Sequence, residues 1–272
     1  PNGVKIVGIT GTDGKSTTAS LTYELLKTTY NAYLGGNIGI PFISFVSELK
    51  ENDVVVLELS SYQLEDNQSF NCNIACILNI SEDHLDRYPS LDAYIDAKEN
   101  ILNSQTEQDI SILNADSDYY ERHKKLVKGK LVSFSRKNIY NSFIDCNNIM
   151  YNKDTIIPVN LIKLQGLHNI ENVLCSVAIA RELNVCIDNI QKVLKEFKGL
   201  SHRTEYVGTI NGIDFIDDSK ATTINSVKKA IESQKKPVIL LLGGRDKGLD
   251  FSMLDELIEE KAKDVVLFGE SR

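Results

Sequence analysis

Residues 4–17, VKIVGITGTDGKST, constrain this chain more than any other stretch. An apolar run (Val4, Ile6, Val7, Ile9) ends in a turn with two glycines, and Lys15-Ser16-Thr17 then open a helical segment that runs to Lys27. A strand, a Gly-rich loop and a helix in this order predict an α/β fold, in which the helix carries the chain back to a parallel neighbour strand. The N–H groups of the turn and the positive end of the helix make a site for an anion. Lys15 adds a point charge for β- and γ-phosphates, and Ser16 offers a hydroxyl to Mg²⁺. The usual phosphate-loop spacing would put glycine where Ile9 stands, so T-G-T-D-G-K-S is a variant loop; an ordinary Gly-rich turn is the alternative.

Further along, residues 32–42 read as a loop, because they contain Gly35, Gly36 and Gly39 and because Pro41 discourages helix before it. Residues 53–59, DVVVLEL, are nearly all apolar, the mark of a parallel strand covered on both faces. Residues 74–80 predict a second such strand, and 110–113 and 131–134 two short ones. Helices are expected over 92–102, 116–127, 166–183 and 187–197. Residues 142–164, with Asn-Asn and Asn-Lys-Asp turn signals, predict an antiparallel meander beside the parallel sheet. A boundary is expected at 198–202. Beyond it the order restarts as a hairpin (206–210 and 213–216), a helix (224–232), a strand (238–242), a helix (252–261) and a strand (265–268). The expected domains are therefore 1–198 and 199–272, the second an incomplete α/β unit. Both ends read as interior to a longer chain, since Pro1-Asn2-Gly3 leads directly into a strand and DVVLFGESR stops just after one.

A net charge of −8 provides no global field for nucleic acid, so an anionic substrate needs local cations. No apolar run approaches the length of a membrane span. The five cysteines include no C-x-x-C pair and are expected to be reduced thiols in a cytoplasmic protein.

Polar residues cluster where strands end, the edge at which open α/β sheets bind ligands. Glu58 interrupts a buried strand and needs a partner, either Mg²⁺ or the next helix start. His84 follows the third strand within E-D-H-L-D-R. Lys98 lies on a helix just beyond, and periodicity alone does not distinguish it from a solvated lysine. Asn169 and Asn172 share one side of a helix start, where they could cap or read an adenine edge. His202-Arg203, D-D-S-K-A-T (217–222) and G-G-R-D-K-G (243–248) are strand-end loops suited to phosphates or carboxylates, or to ordinary turns.

Taken together, GITGTDGKST, GGNIGIP, LELSSYQLE, NISEDHLDRY, DAKENI, GLHNIENV, GLSHRTE, DDSKATT and LLLGGRDKGLDF resemble the Mur ligases of peptidoglycan synthesis, in the family's order from residue 8 to residue 251. SSYQLE, DHLDRY and DSKAT resemble the D-glutamate-adding branch in particular. The resemblance implies a phosphate-loop central domain with a mostly parallel sheet, followed by a partial, Rossmann-like C-terminal domain. It implies ATP held by Gly11, Thr12, Asp13, Gly14, Lys15, Ser16 and Thr17, with Asn169, Asn172, Arg203 and Asp218. One Mg²⁺ would lie on Ser16 and Glu58, and a second on His84 and a carbamylated Lys98. Lys15, His84 and Lys98 would serve catalysis. Asn37 and Ser61 would face the muramoyl substrate, and Thr222 and Lys247 the incoming D-glutamate. Thr223 departs from the family's usual Asn, and Arg245 and Asp246 receive no role.

The implied reaction is an ATP-driven amide ligation of UDP-N-acetylmuramoyl-L-alanine with D-glutamate through an acyl phosphate, by a monomer without nucleic-acid or membrane partners. These residues alone are expected to be a poor ligase. Another Mur ligase, a folylpolyglutamate synthetase or a non-catalytic nucleotide-binding module are the alternatives.

Overall fold

The computed structural model describes residues 3–67, 69–82, 87–164, 166–234, 236–245 and 250–270. The chain divides into two compact units, Pro1–Lys198 and Gly199–Arg272.

The first unit is built on a nine-stranded sheet in the order β2-β3-β1-β4-β5-β6-β7-β8-β9. Its strands are β1 (Lys5–Thr10), β2 (Ala32–Gly36), β3 (Val54–Glu58), β4 (Ile74–Ile77), β5 (Ile110–Asn114), β6 (Lys130–Ser135), β7 (Ser142–Asp145), β8 (Asn148–Tyr151) and β9 (Asp154–Pro158). Pairings from β2 through β7 are parallel, while β7-β8 and β8-β9 are antiparallel. The expected mostly parallel sheet with an antiparallel meander is therefore present, and the meander extends the same sheet.

Strand β3 shows why its sequence is a continuous apolar run. Val54 and Val56 pack into one core with α1 (Lys15–Leu26), α5 (Leu167–Glu182) and α6 (Ile187–Glu196), through Leu21, Leu25, Val173, Val177, Ile190 and Leu194. Val55 and Leu57 face the opposite way, against Leu64, Ile101, Leu102 and Tyr120. Those side chains belong to α2 (Ser61–Glu65), α3 (Leu91–Asn103) and α4 (Tyr120–Lys124). With a side-chain period of two and both faces covered, no position on the strand tolerates a solvated residue. Helix α5 is apolar nearly all round because it lies buried against the sheet and α1. Where it meets α1, hydroxyls replace bulk, with Thr22 Oγ1 donating to Ser176 Oγ at 3.2 Å.

Three expectations are corrected. Residues 32–36 are not loop but strand β2, in register with Val54–Glu58. Glycine there answers crowding: a Cβ on Gly35 would sit 2.5 Å from the Ile40 carbonyl oxygen, and one on Gly36 would sit 2.2 Å from that of Glu58. The strand expected to reach residue 80 ends at Ile77: Leu78 still bonds the last residue of β1, and from Asn79 the backbone turns to bond the loop after it. The helix expected over 116–127 contracts to α4, because Asp116 is drawn to Ser135 Oγ (2.6 Å) and Arg136 N (2.7 Å).

In the second unit β10 (Glu205–Ile210) and β11 (Ile213–Asp217) form the expected hairpin, turning through Asn211 and Gly212, both at positive φ. Helix α7 (Ile224–Glu232) follows, then β12 (Val238–Gly244), α8 (Asp255–Lys261) and β13 (Ala262–Gly269), with β12 and β13 parallel. The helix expected over 252–261 begins as a 3-10 turn, Phe251–Leu254. No helix among the described residues is long and apolar enough to cross a membrane.

Candidate active site

The loop between β1 and α1 adopts a conformation that depends on its glycines. Gly11 (φ 153°) and Gly14 (φ 79°) both lie in backbone regions that L side chains rarely enter. A Cβ on Gly14 would lie 2.2 Å from Asn172 Oδ1, so helix α5 touches the loop only because the position is glycine. Asn172 is buried and bridges the two helices. Its Oδ1 accepts from Thr18 Oγ1 (3.1 Å), and its Nδ2 donates to Asn169 Oδ1 (3.0 Å). Asn169 and Asn172 thus share one side of α5, as their spacing predicts, and that side abuts the phosphate loop.

Two amines converge on one carbonyl. Lys15 Nζ donates to the carbonyls of Gly11 (2.9 Å) and Thr12 (2.7 Å). Lys98 Nζ donates to the same Gly11 oxygen at 2.9 Å and stands 4.6 Å from the centre of the Tyr94 ring. Lys98 is 1% exposed, which for an amine on a long flexible stem demands a specific reason. Sequence periodicity gave no sign of this burial.

Glu58 lies directly across from Ile9 in the sheet, at the strand end beside the loop. It is 2% exposed. Its Oε1 accepts from Asn37 Nδ2 (3.0 Å), while its Oε2 is buried with no hydrogen-bond donor among the described residues. An ionised oxygen so placed carries a desolvation cost that a metal ion would offset. Asn37, whose backbone N–H also bonds the Glu58 carbonyl (2.9 Å), is exposed and supports that carboxylate. Ser61 begins α2 and is 2% exposed, so it packs inside; the preceding Ser60 caps the helix reciprocally with Gln63. A cavity of about 320 Å³ opens beside Gly36 and Gln63, walled by Phe42, Leu59, Leu64 and Asn67.

Two expected site residues, His84 and Lys247, lie outside the described residues. In the second unit the Arg203 charge acts on the Asp218 carboxylate, which is tied to the next residue along from Arg203. Thr204 N donates to Asp218 Oδ1 at 2.8 Å, and His202 Nδ1 pairs with Asp217 Oδ2 at 2.6 Å. The His202 bond, with help from Ser219, holds the Asp217 carboxyl at about 2, whereas burial pushes that of Asp218 up. Thr222 is exposed just before α7, which Thr223 caps by accepting from Ser226 N (3.2 Å).

Some residues that shape the site were not singled out by sequence. Tyr94 OH lies 3.2 Å from Thr12 Oγ1, and Asn79 makes three hydrogen bonds to the loop. The only signal for Asn79 was its position at a strand end.

Comparison with known proteins places these features in a family. Residues 9–180 match the Mur ligase middle domain, and residues 202–272 match the Mur ligase, glutamate ligase domain. A UDP-N-acetylmuramoylalanine--D-glutamate ligase of Koribacter versatilis is 41% identical over 97% of this chain, and one of Alkaliphilus metalliredigens is 39% identical over 98%. The chain spans 60% of the length of each of these relatives. Among solved structures, MurF from Acinetobacter baumannii superposes with a TM-score of 0.80 at 20% identity, over 98% of this chain and 64% of that one. MurC from Thermotoga maritima gives 0.68 at 21%, over 98% and 67%. These two likenesses establish the fold.

Proposed function

The chain belongs to the Mur ligase family, and from that premise we propose that the full-length protein is a cytoplasmic, monomeric ligase that uses ATP to join D-glutamate to UDP-N-acetylmuramoyl-L-alanine. The buried Oε2 of Glu58 beside the phosphate loop, with no donor among the described residues, is the observation that carries this reading, because such an oxygen fits a cation. The acceptor assignment draws its support from the D-glutamate ligases that are about 40% identical over nearly the whole chain.

In this reading Lys15 and the first turn of α1 bind the ATP phosphates. Asn169 and Asn172, with Arg203 and Asp218, orient the nucleotide. Ser16 and Glu58 would hold one Mg²⁺, and His84 with a carbamylated Lys98 a second. Bound there, the ions would supply neutralising charge for phosphoryl transfer. Carbamylation joins the Lys98 nitrogen to the carbon of CO₂ with loss of a proton, giving an anionic ligand where the chain supplies an amine. A carboxylate oxygen of the muramoyl substrate, bound near Asn37 and the adjacent cavity, bonds to the γ-phosphorus as ADP leaves; Ser61, packed inside, would act only through the start of α2. The nitrogen of D-glutamate, which Thr222 and Lys247 would bind, then attacks the acyl carbon. Phosphate departs and the amine loses a proton. Lys15 would offset the negative charge that develops in the first step.

The test is ADP release by the full-length protein supplied with ATP, UDP-N-acetylmuramoyl-L-alanine and D-glutamate, together with the intact mass of the protein in bicarbonate and after its removal. Release requiring both substrates, a CO₂ adduct in bicarbonate and loss of turnover in Lys98→Ala are expected. Full turnover in Lys98→Ala would discard the carbamate, and no release by the wild type would discard the ligase assignment.

A further inference from the structure

A phosphate loop built on two glycines gains freedom that must be removed before it can hold a ligand in one geometry. In this chain a single residue from the neighbouring strand removes much of it. Leu78 N closes the last sheet bond, to Thr10 O at 3.0 Å, after which both chains leave the sheet. Asn79 then takes the loop. Its carbonyl accepts from Thr12 N (2.9 Å), its Oδ1 accepts from Asp13 N (2.8 Å), and its Nδ2 donates to Asp13 O (3.1 Å). The side-chain amide copies a peptide unit, so Asp13 is paired on both its backbone groups as though the sheet continued. Asparagine offers donor and acceptor together at that reach.

Two neighbouring features fit this arrangement. A Cβ on Gly11 would lie 3.3 Å from both the N and the O of Asn79 and 3.0 Å from Leu78 Cβ, so the glycine admits the Asn79 backbone. Two residues on, Ser81 N donates to Thr12 Oγ1 (3.0 Å), which donates in turn to Ser81 O (3.2 Å). The carbonyls of Gly11 and Thr12, which receive Lys15 Nζ and Lys98 Nζ, belong to the segment thus fixed. With the Thr12 and Asp13 amides turned toward Asn79, the loop's anion-facing side begins at Gly14 and the first turn of α1.

We infer that Asn79 is a positioning residue for nucleotide binding: it clamps residues 12 and 13 so that Lys15 and the start of α1 meet the phosphates in a preset geometry. The inference rests on the proposed function only in taking ATP as the loop's ligand. It is tested in the full-length protein by ATP affinity, by the KM values for ATP and D-glutamate, and by amide hydrogen exchange across residues 10–20. In Asn79→Ala the dissociation constant and KM for ATP are expected to rise about ten-fold, the effect of losing roughly two neutral hydrogen bonds. KM for D-glutamate should hold, and exchange at Thr12 and Asp13 should accelerate while the interior of α1 stays protected. Asn79→Ser, a milder truncation, should shift the same quantities in the same direction and serves if the alanine variant fails to fold. Unchanged ATP affinity and unchanged exchange at residues 12 and 13 in a folded variant would overturn the clamp. Failure of the wild type to bind ATP would instead overturn the functional reading, and the exchange measurement distinguishes the two.

Discussion

The two carboxylate oxygens of Glu58 have different fates: one is held by Asn37, the other is buried with no donor among the described residues. The Glu58→Gln variant separates structure from chemistry. The amide keeps an acceptor for Asn37 and removes a buried charge, so the melting temperature should stay within a few degrees of wild type or rise. Mg²⁺-dependent ADP release should fall by about 100-fold or more, as for other groups that stabilise developing charge. A variant equally stable and equally active would show that Glu58 holds no metal. At this scale the sequence was uneven in what it disclosed. Glu58 was visible because a charge breaks an apolar run, and Lys15 because its loop is a local pattern. Lys98 was not visible from spacing, since its burial comes from α3 lying over the loop after β1 and not from its own neighbours. Asn79 stayed hidden for a similar reason: its partners, Thr12 and Asp13, are far away in sequence and become adjacent only through the β1-β4 pairing.

Helix α3 carries Lys98, and its outer face is tied down by α4. Arg122 donates to Glu99 Oε1 (2.8 Å), Glu99 Oε2 (3.0 Å) and Asp92 Oδ1 (2.8 Å), and it also pairs with Asp96. Next to it His123 is 2% exposed, with its Nε2 3.5 Å from Glu99 Oε1. Burial, reinforced by the Arg122 charge, holds the imidazole down at about 4 against its ordinary 6.5. The folded state therefore binds this proton less readily than the unfolded chain. The resulting stability is complete above pH 6.5 and is lost as pH falls from 6.5 toward 4, up to roughly 3 kcal/mol from this one group. Comparing urea unfolding between pH 7 and pH 4 for wild type and His123→Phe checks it. The variant's loss on acidification should be smaller, and equal losses would contradict the assignment. The legibility of elements follows the same logic as that of residues. Strands buried on both faces and helices with one apolar side were readable. Strand β2 was not, because its glycines reflect backbone crowding from Ile40 and Glu58, which the sequence around them does not reveal.

For the whole molecule, the order of motifs was more informative than any one of them. A phosphate loop alone permits many chemistries; the loop followed by L-E-L-S-S-Y-Q-L-E, D-H-L-D-R-Y, D-A-K-E-N-I and D-S-K-A-T narrows them to one family, and the domain matches over residues 9–180 and 202–272 agree. The fold is common to ligases that add different amino acids, so the identity of the acceptor is not contained in the sheet or the phosphate loop. In the proposed reading it rests instead with Thr222 and Lys247, the two residues given to the incoming D-glutamate. The most direct measurement is therefore ADP release by the full-length protein with ATP, UDP-N-acetylmuramoyl-L-alanine and each of D-glutamate, L-glutamate, L-alanine, L-lysine and diaminopimelate in turn. Release with D-glutamate and background rates with the other four are predicted; release driven by any of those four in place of D-glutamate would contradict the account.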